Sequence, residues 1–184
     1  MTAEDTAPLP PILYEDEDIV AFDKPAGLVV HRNDRYGGGT LADLAQARYG
    51  PLPEVQGEHR PGIVHRLDRE TSGVIVLGRT QEALEELKRQ FKEREAEKTY
   101  LAFVHESPRF DSEWIDEPIG TDERHPERKM VVPRGQGREA STYYEVRERF
   151  RGFSLIECKP RTGRTHQIRV HLSWAEHSLV GDRL

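Results

Sequence analysis

Apolar residues in this chain fall into short blocks whose spacing changes from block to block, and the changes mark out the elements. Ile19–Phe22 and Leu28–Val30 are compact β-rich runs on either side of the turn residues Lys24-Pro25-Ala26-Gly27, and both are expected to be strands. Gly37-Gly38-Gly39 reads as a flexible loop. Thr40 is placed to cap a helix over Leu41–Tyr49, which Gly50-Pro51 stops. Residues 51–62 lead on as a loop. Val74–Leu77 is a continuous apolar run, the signature of a buried strand. Thr80 then caps a helix through about Arg94, with Leu84, Leu87 and Phe91 on one face and charge on the other. Lys98–Val104 alternates as a strand. Ser141–Val146 and Phe153–Cys158 read as an antiparallel pair joined across Arg149–Gly152, and Thr165–Glu176 as a last helix. Residues 107–139 lack apolar periodicity and predict short strands and exposed loops. The sum is an α+β fold with a largely antiparallel sheet and no internal repeat. Residues 1–11, rich in Pro and acid, read as a disordered leader, and residues 12–184 as one catalytic domain.

Composition changes this picture little. Hydrophobic residues make up 35% of the 184 and charged residues 33%, which gives a core and a heavily solvated surface. Cys158 is the only cysteine, so an intrachain disulfide and a cysteine-based zinc site are both excluded. That suits a reducing cytoplasm. The acidic N-terminus has no basic region followed by an apolar one, and no apolar run approaches the roughly 20 residues a membrane span needs. No membrane partner is expected.

Charge matters through its distribution. The net charge of −6 argues at first against a nucleic-acid partner. Residues 1–23, however, hold seven acids and no Lys or Arg, and the remainder carries 27 basic and 26 acidic residues. Lys159, Arg161, Arg164 and Arg169 follow one another from 159 to 171 with no acid between them. RNA binding needs a local basic surface, not a basic protein.

Two segments carry candidate chemistry. In Gly62–Gly78, GIVHRLDRETSGVIVLG, Asp68 sits in a polar turn just before the buried strand, so a loop-borne carboxylate is backed by a rigid element. Asp68 would either serve as a nucleophile or general base, or simply cap the turn at Thr71 or Ser72. In Lys159–Leu172, KPRTGRTHQIRVHL, Thr165 is expected to start a helix whose N-terminal end can accept a phosphate, with Arg169 on its second turn. The alternative is a solvated basic helix end. His166 and His171 are five apart, roughly 140° around a helix, and do not form a metal pair by themselves. His31 and His59 are the histidines that could join them in space; no metal site is expected. His65 suits a packed, hydrogen-bonded role better than acid–base work. Tyr100, at the start of a strand, could stack under a base or be an ordinary half-buried tyrosine.

At these residues the chain resembles a known family. HRLDRETSGVIVLGRT resembles the HRLD-x-x-TSG motif of RluA-type pseudouridine synthases. DIVAFDKPAGLVVH, EKTYLAFV, GRTHQIRVHL and HSLVGD resemble four further motifs of that family, in order, from about Ile12 to Asp182. The resemblance implies a mixed, mostly antiparallel sheet with flanking helices around a central RNA-binding cleft. It implies isomerisation of a uridine in RNA to pseudouridine, with no cofactor and no metal. Asp68 matches the essential aspartate, Arg169 the arginine that pairs with it, and Tyr100 the tyrosine under the target uracil. Ile168 matches an apolar contact to that base, and Arg66 an arginine that helps hold it flipped out. His65, Arg161 and Arg164 complete the expected substrate contacts.

Glu70 stands where the family has Asp, and Glu176-His177-Ser178 where it has Gly-His-Pro. Relative to the family the chain is expected to be cut short at its C-terminal end, and to carry no N-terminal RNA-binding domain of the S4 type. The expected partner is a structured rRNA or tRNA stem-loop, bound by a cytoplasmic monomer with no protein partner. The competing readings are a non-catalytic RNA-binding module of the same fold and a carboxylate-dependent hydrolase, which lacks a second acid in a motif. A phosphotransferase fails for want of a Gly-rich phosphate loop and a DFG segment.

Overall fold

A computed structural model describes residues 8–32, 36–54 and 60–182. Residues 1–7 of the expected leader and His59 lie outside them. The fold is α+β, as expected, and every strand pairing in its sheets is antiparallel. The contacts group the chain into two compact units that divide between Glu95 and Ala96.

The first unit is built on a three-stranded sheet in the order β1 (Ile12–Glu15), β2 (Ile19–Lys24), β3 (Gly73–Gly78). β2 is the central strand, and Val20 and Phe22 are fully buried on it, as are Ile75 and Leu77 on β3. Helix α1 (Leu41–Tyr49) starts as the sequence predicts. Thr40 caps it in a capping box with Asp43, whose carboxylate in turn accepts the Thr40 backbone N–H at 3.0 Å. Helix α2 (Gln81–Glu93) starts at the Thr80 cap and presses Leu84 onto the end of β3. A Cβ at Gly78 would come within 2.8 Å of the Leu84 Cα, so only glycine lets helix and strand meet this closely.

Two expectations fail here. Leu28–Val30 is not a strand. Its carbonyls are already committed: Val29 and Val30 accept from the first N–H groups of α1 at 2.8 and 3.0 Å, and Leu28 from Lys24 Nζ at 2.9 Å. Conversely, β1 is a strand that no periodicity announced. All four of its residues are exposed, so an edge strand with no buried face left no alternation to read.

The second unit is built on a four-stranded sheet in the order β4 (Tyr100–His105), β9 (Phe153–Pro160), β8 (Thr142–Phe150), β5 (Ser112–Ile115). Its inner face buries Ala102, Val104, Ile115, Tyr144, Ile156 and Cys158 together with Leu172 from helix α3 (Gln167–Trp174). The β8–β9 hairpin is longer than predicted. Pairing runs out to Phe150 and Phe153, leaving a turn of Arg151 and Gly152, where Gly152 takes φ 79°. A small β6 (Ile119–Thr121) and β7 (Lys129–Val131) ribbon supplies the short strands expected within 107–139.

Helix α3 begins two residues later than predicted. His166 stands at its cap in the left-handed region (φ 58°) with no side-chain cap bond, so Thr165 does not open the helix. The reason is Gln167. Its buried amide accepts from Thr162 Oγ1 at 2.6 Å and from the Arg164 N–H at 3.0 Å. The same amide donates to Ser141 O and Thr142 Oγ1, both at 2.9 Å. These bonds hold residues 162–166 as a tight turn instead of a first helical turn.

Candidate active site

In the first unit, the segment before β3 is fixed at both ends. Gly78 N–H bonds Gly62 O at 2.9 Å, and Ile63 bridges to Leu77. His65 then turns inward: its Nε2 accepts the Val76 N–H at 3.0 Å and its ring stacks on Phe91 at 4.5 Å between centroids. A ring nitrogen that accepts from the backbone is spoken for, which is the packed role the residue pattern suggested. Leu67 is buried, so it anchors the next residue, Asp68, which is half-buried at the head of a turn. That turn closes through Thr71 N–H to the Asp68 carbonyl at 3.1 Å, a backbone bond. Gly73 follows at φ 126°, a conformation side chains resist, and delivers the chain into β3. Arg66 is exposed.

The Asp68 turn is stitched to the Lys24–Gly27 turn, a connection the sequence did not reveal. Lys24 is fully buried at the end of β2. Its ammonium donates to the carbonyls of Pro25 (2.8 Å), Leu28 (2.9 Å) and Arg69 (3.1 Å). Gly27 N–H also donates to Arg69 O, at 2.8 Å, and Arg69 Nε returns to Gly27 O at 3.1 Å. Arg69 is the residue after Asp68, so Lys24 fixes the backbone on which Asp68 stands. Burial lowers the Lys24 pKa, while the charges of Glu70 and Asp68 raise it. An open cleft of about 330 Å³ adjoins this turn, lined among others by Pro25, Gly27, Leu28, Tyr36 and Arg69.

In the second unit, Tyr100 begins β4 opposite Cys158, and Ile168 lies on the first turn of α3. Both are partly buried and pack against the same apolar cluster, so two expected base contacts share one foundation. Arg169, next on α3, forks onto Asp182: Nε to Oδ2 at 2.8 Å and Nη2 to Oδ1 at 2.5 Å. Asp182 is held there because its segment is tied to β4. His105 N–H bonds Ser178 O at 2.9 Å and Val180 N–H bonds Phe103 O at 2.8 Å. Arg164 Nε donates to Glu139 O at 2.9 Å, and the Arg161 guanidinium lies 3.9 Å over the Trp114 ring.

Two further histidines are buried. His171 is fully buried on α3 and bonded to Thr142 Oγ1 and Glu117 O, both at 2.9 Å; burial lowers its pKa. His31 is buried as well, and desolvation, aided by the charges of Arg60 and Arg66, pushes it down to about 4. Among the described residues no group of three or more His, Cys, Asp or Glu could hold a metal ion, and no helix is long and apolar enough to cross a membrane.

The sequence model of the RNA pseudouridylate synthase family matches residues 18–174. The chain belongs to that family. The match takes in the Asp68 turn, the start of β4 and α3, as the RluA-type motifs implied. An uncharacterized RNA pseudouridine synthase of Aquifex aeolicus is 45% identical over 175 residues, covering 94% of this chain and 54% of the relative. Ribosomal large subunit pseudouridine synthase D of Xylella fastidiosa is 44% identical over 174 residues, covering 94% and 50%. The chain therefore spans about half the length of the curated relatives it matches. Among solved structures, human RNA pseudouridylate synthase domain containing 1 superposes with a TM-score of 0.76 at 27% identity, covering 93% of this chain and 67% of that one. Domain containing 4 superposes at 0.71 with 30% identity and the same coverage. As a family member the chain shares this fold, and the residues sequence reasoning left without a role are Lys24, Gln167 and Asp182. Each lies inside or beside a recognised motif, but only the bonds in space give it work.

Proposed function

We propose that this protein converts a uridine within RNA to pseudouridine. The observation that carries the reading is the family match across residues 18–174, which includes Asp68, Tyr100, Ile168 and Arg169 together. The target nucleotide leaves the stack. Asp68 attacks as a nucleophile, at C1′ or at uracil C6; the N1–C1′ bond breaks, the uracil turns and joins C1′ through C5, and the bond to Asp68 breaks to return the free carboxylate. The C5 proton is lost and N1 gains one, so the reaction is an isomerisation that needs neither redox chemistry nor an energy source. Tyr100 stacks on the base and assists loss of the C5 proton. Ile168 contacts the base edge, and Arg169 keeps Asp68 ionised and oriented. Arg66 supports the flipped conformation, while Arg161 and Arg164 meet the phosphates. His65 supports the loop from which Arg66 and Asp68 project.

Residues 12–184 act in this reading as one catalytic domain, both units contributing residues, and the protein works as a cytoplasmic monomer. One relative is named for the ribosomal large subunit, which supports an rRNA stem-loop ahead of a tRNA one as substrate. The test is Asp68→Asn, which keeps the size and removes the charge. Ribosomal RNA transcripts treated with wild type should gain pseudouridine, read by carbodiimide adducts that stop primer extension. The variant should bind the same transcripts and convert nothing. Conversion at a near wild-type rate by Asp68→Asn sinks the assignment.

A further inference from the structure

We infer that Trp114, Tyr143 and Arg161 form a preorganised stacking platform for an unpaired nucleotide of the RNA substrate. The inference rests on the proposed function and adds a binding site to it.

Trp114 lies on the edge strand β5 and is 40% exposed, a large ring left at the surface. Its cross-strand partner on β8 is Tyr143, in direct register, and the rings meet at 5.1 Å and 46°. Neighbouring residues on these strands face the other way: Tyr144 is buried in the core and donates its hydroxyl to Glu113 at 3.1 Å. Alternation along β5 and β8 therefore puts the Trp114–Tyr143 pair on the outer face.

Arg161 supplies the charge. It follows β9, and its N–H bonds Ser141 O at 3.0 Å, which pins its backbone beside the start of β8. Its guanidinium carbon then sits 3.9 Å from the Trp114 ring centroid, at the near end of cation–π separations. Cationic neighbours on the same sheet are neutralised. Arg147 pairs with Glu145 and Glu157, at 3.1 and 2.8 Å, and Arg149 with Asp111 at 2.7 Å; Lys159 likewise takes Glu157 at 3.1 Å. Among the described residues Arg161 makes no ion pair and is exposed. A cation held by a ring brings no carboxylate to compete with an incoming anion.

The two halves fit one ligand. The guanidinium is held over the indole, so its outer side can receive a nucleobase and its N–H groups a phosphate. Orienting the arginine in advance removes the rotamer entropy that a free side chain would lose on binding. A double helix, whose bases are stacked inward, offers no base face, so the site selects an unpaired nucleotide. Arg161 leads directly into residues 162–166 and α3, so the platform is continuous with the basic run that carries Arg164 and Arg169.

The full chain should be titrated with a fluorescein-labelled single-stranded oligonucleotide of about ten nucleotides across a range of salt, beside isomerisation of a ribosomal RNA transcript. Trp114→Leu is expected to weaken binding about tenfold and to act on KM more than on kcat, whereas Trp114→Phe, which keeps a flat ring, should lose much less. Arg161→Gln should lower the slope of log affinity against log salt by about 0.7. In a Trp174→Phe background the remaining Trp114 emission should fall on RNA addition. Thermal unfolding of each variant separates lost binding from lost folding. Wild-type affinity in Trp114→Leu, or an unchanged salt slope in Arg161→Gln, overturns the platform, as does weakened binding that only tracks the unfolded fraction. Binding losses as expected in a wild type that never isomerises RNA would sink the enzymatic reading and leave the platform standing.

Discussion

Replacing Asp182 by Asn should slow the proposed isomerisation through Arg169 without unfolding the protein. The Arg169–Asp182 fork is bidentate, at 2.8 and 2.5 Å, and the two side chains are only 23% and 12% exposed. Hydrogen bonds to charged groups contribute about 1.5–3 kcal/mol each. Asn keeps one acceptor oxygen and the shape, so one of the two bonds survives, and water reaches the 23% exposed guanidinium in part. The expected loss is therefore roughly 1–2 kcal/mol, or about 5- to 30-fold in single-turnover rate if Arg169 must be oriented for the chemical step. Asp182→Glu, which keeps the charge and shifts its reach, should fall between Asn and wild type.

The assay is single-turnover conversion of saturating ribosomal RNA transcript, with affinity and thermal unfolding measured separately. Arg169→Lys is the companion variant. It retains the charge but not the planar fork, so it should retain some activity, while Arg169→Met has almost none at neutral pH. If Asp182→Asn turns over at the wild-type rate, the fork does not orient Arg169 for catalysis. A rate loss matched by an equal loss of RNA affinity would make Arg169 a phosphate contact instead.

Lys24→Met should lower stability by about 2 kcal/mol, because the carbonyls of Pro25, Leu28 and Arg69 lose their donor while relief of a buried charge offsets part of the cost; unchanged urea unfolding would show that the clamp is neutral. His31 gives the protein an acid-side instability. Its folded pKa, about 4, lies below the ordinary 6.5, so the unfolded chain takes up the proton first as pH falls. Stability present above pH 6.5 should drain by up to about 3 kcal/mol towards pH 4. His171, depressed in the same direction, adds to the trend. A His31→Leu variant whose stability changes with pH as steeply as wild type would refute this origin. Arg164→Ala should free Glu139 O and reduce the salt dependence of RNA affinity; an unchanged slope moves the phosphate path elsewhere.

The elements with a strong local signal were legible. Thr40 and Thr80 start α1 and α2 because a hydroxyl at the cap, followed by helix formers, states its own solution. Val74–Leu77 is a strand as its apolar run predicts, but it is not buried throughout: Ile75 and Leu77 face the core, while Val74 on the other face is 58% exposed. Leu28–Val30 misled for the complementary reason. Its residues favour strand, but a strand needs free carbonyls and N–H groups on a neighbour, and here the helix N-terminus and Lys24 consume the acceptors. Propensity describes side chains on a pleated surface; it says nothing about who else wants the backbone.

The same distinction governs the site. Asp68, Tyr100 and Arg169 stand out in the sequence because each carries chemistry within a recognised run of residues. The groups that hold them do not, because their function is a bond to a distant backbone or side chain. Lys24 acts on Arg69 across 45 positions, Gln167 on Ser141 across 26, and Asp182 on Arg169 across 13. The α3 boundary shows the consequence. Thr165 has every local qualification for a helix cap, yet the cap fails because Gln167, an ordinary helix residue by propensity, finds four partners outside the helix. A buried amide with all of its bonds made in a low-dielectric interior outweighs one capping bond of about 1 kcal/mol. The turn it enforces sets where Ile168 and Arg169 emerge from the backbone, so a residue with no chemistry of its own decides the placement of one that has.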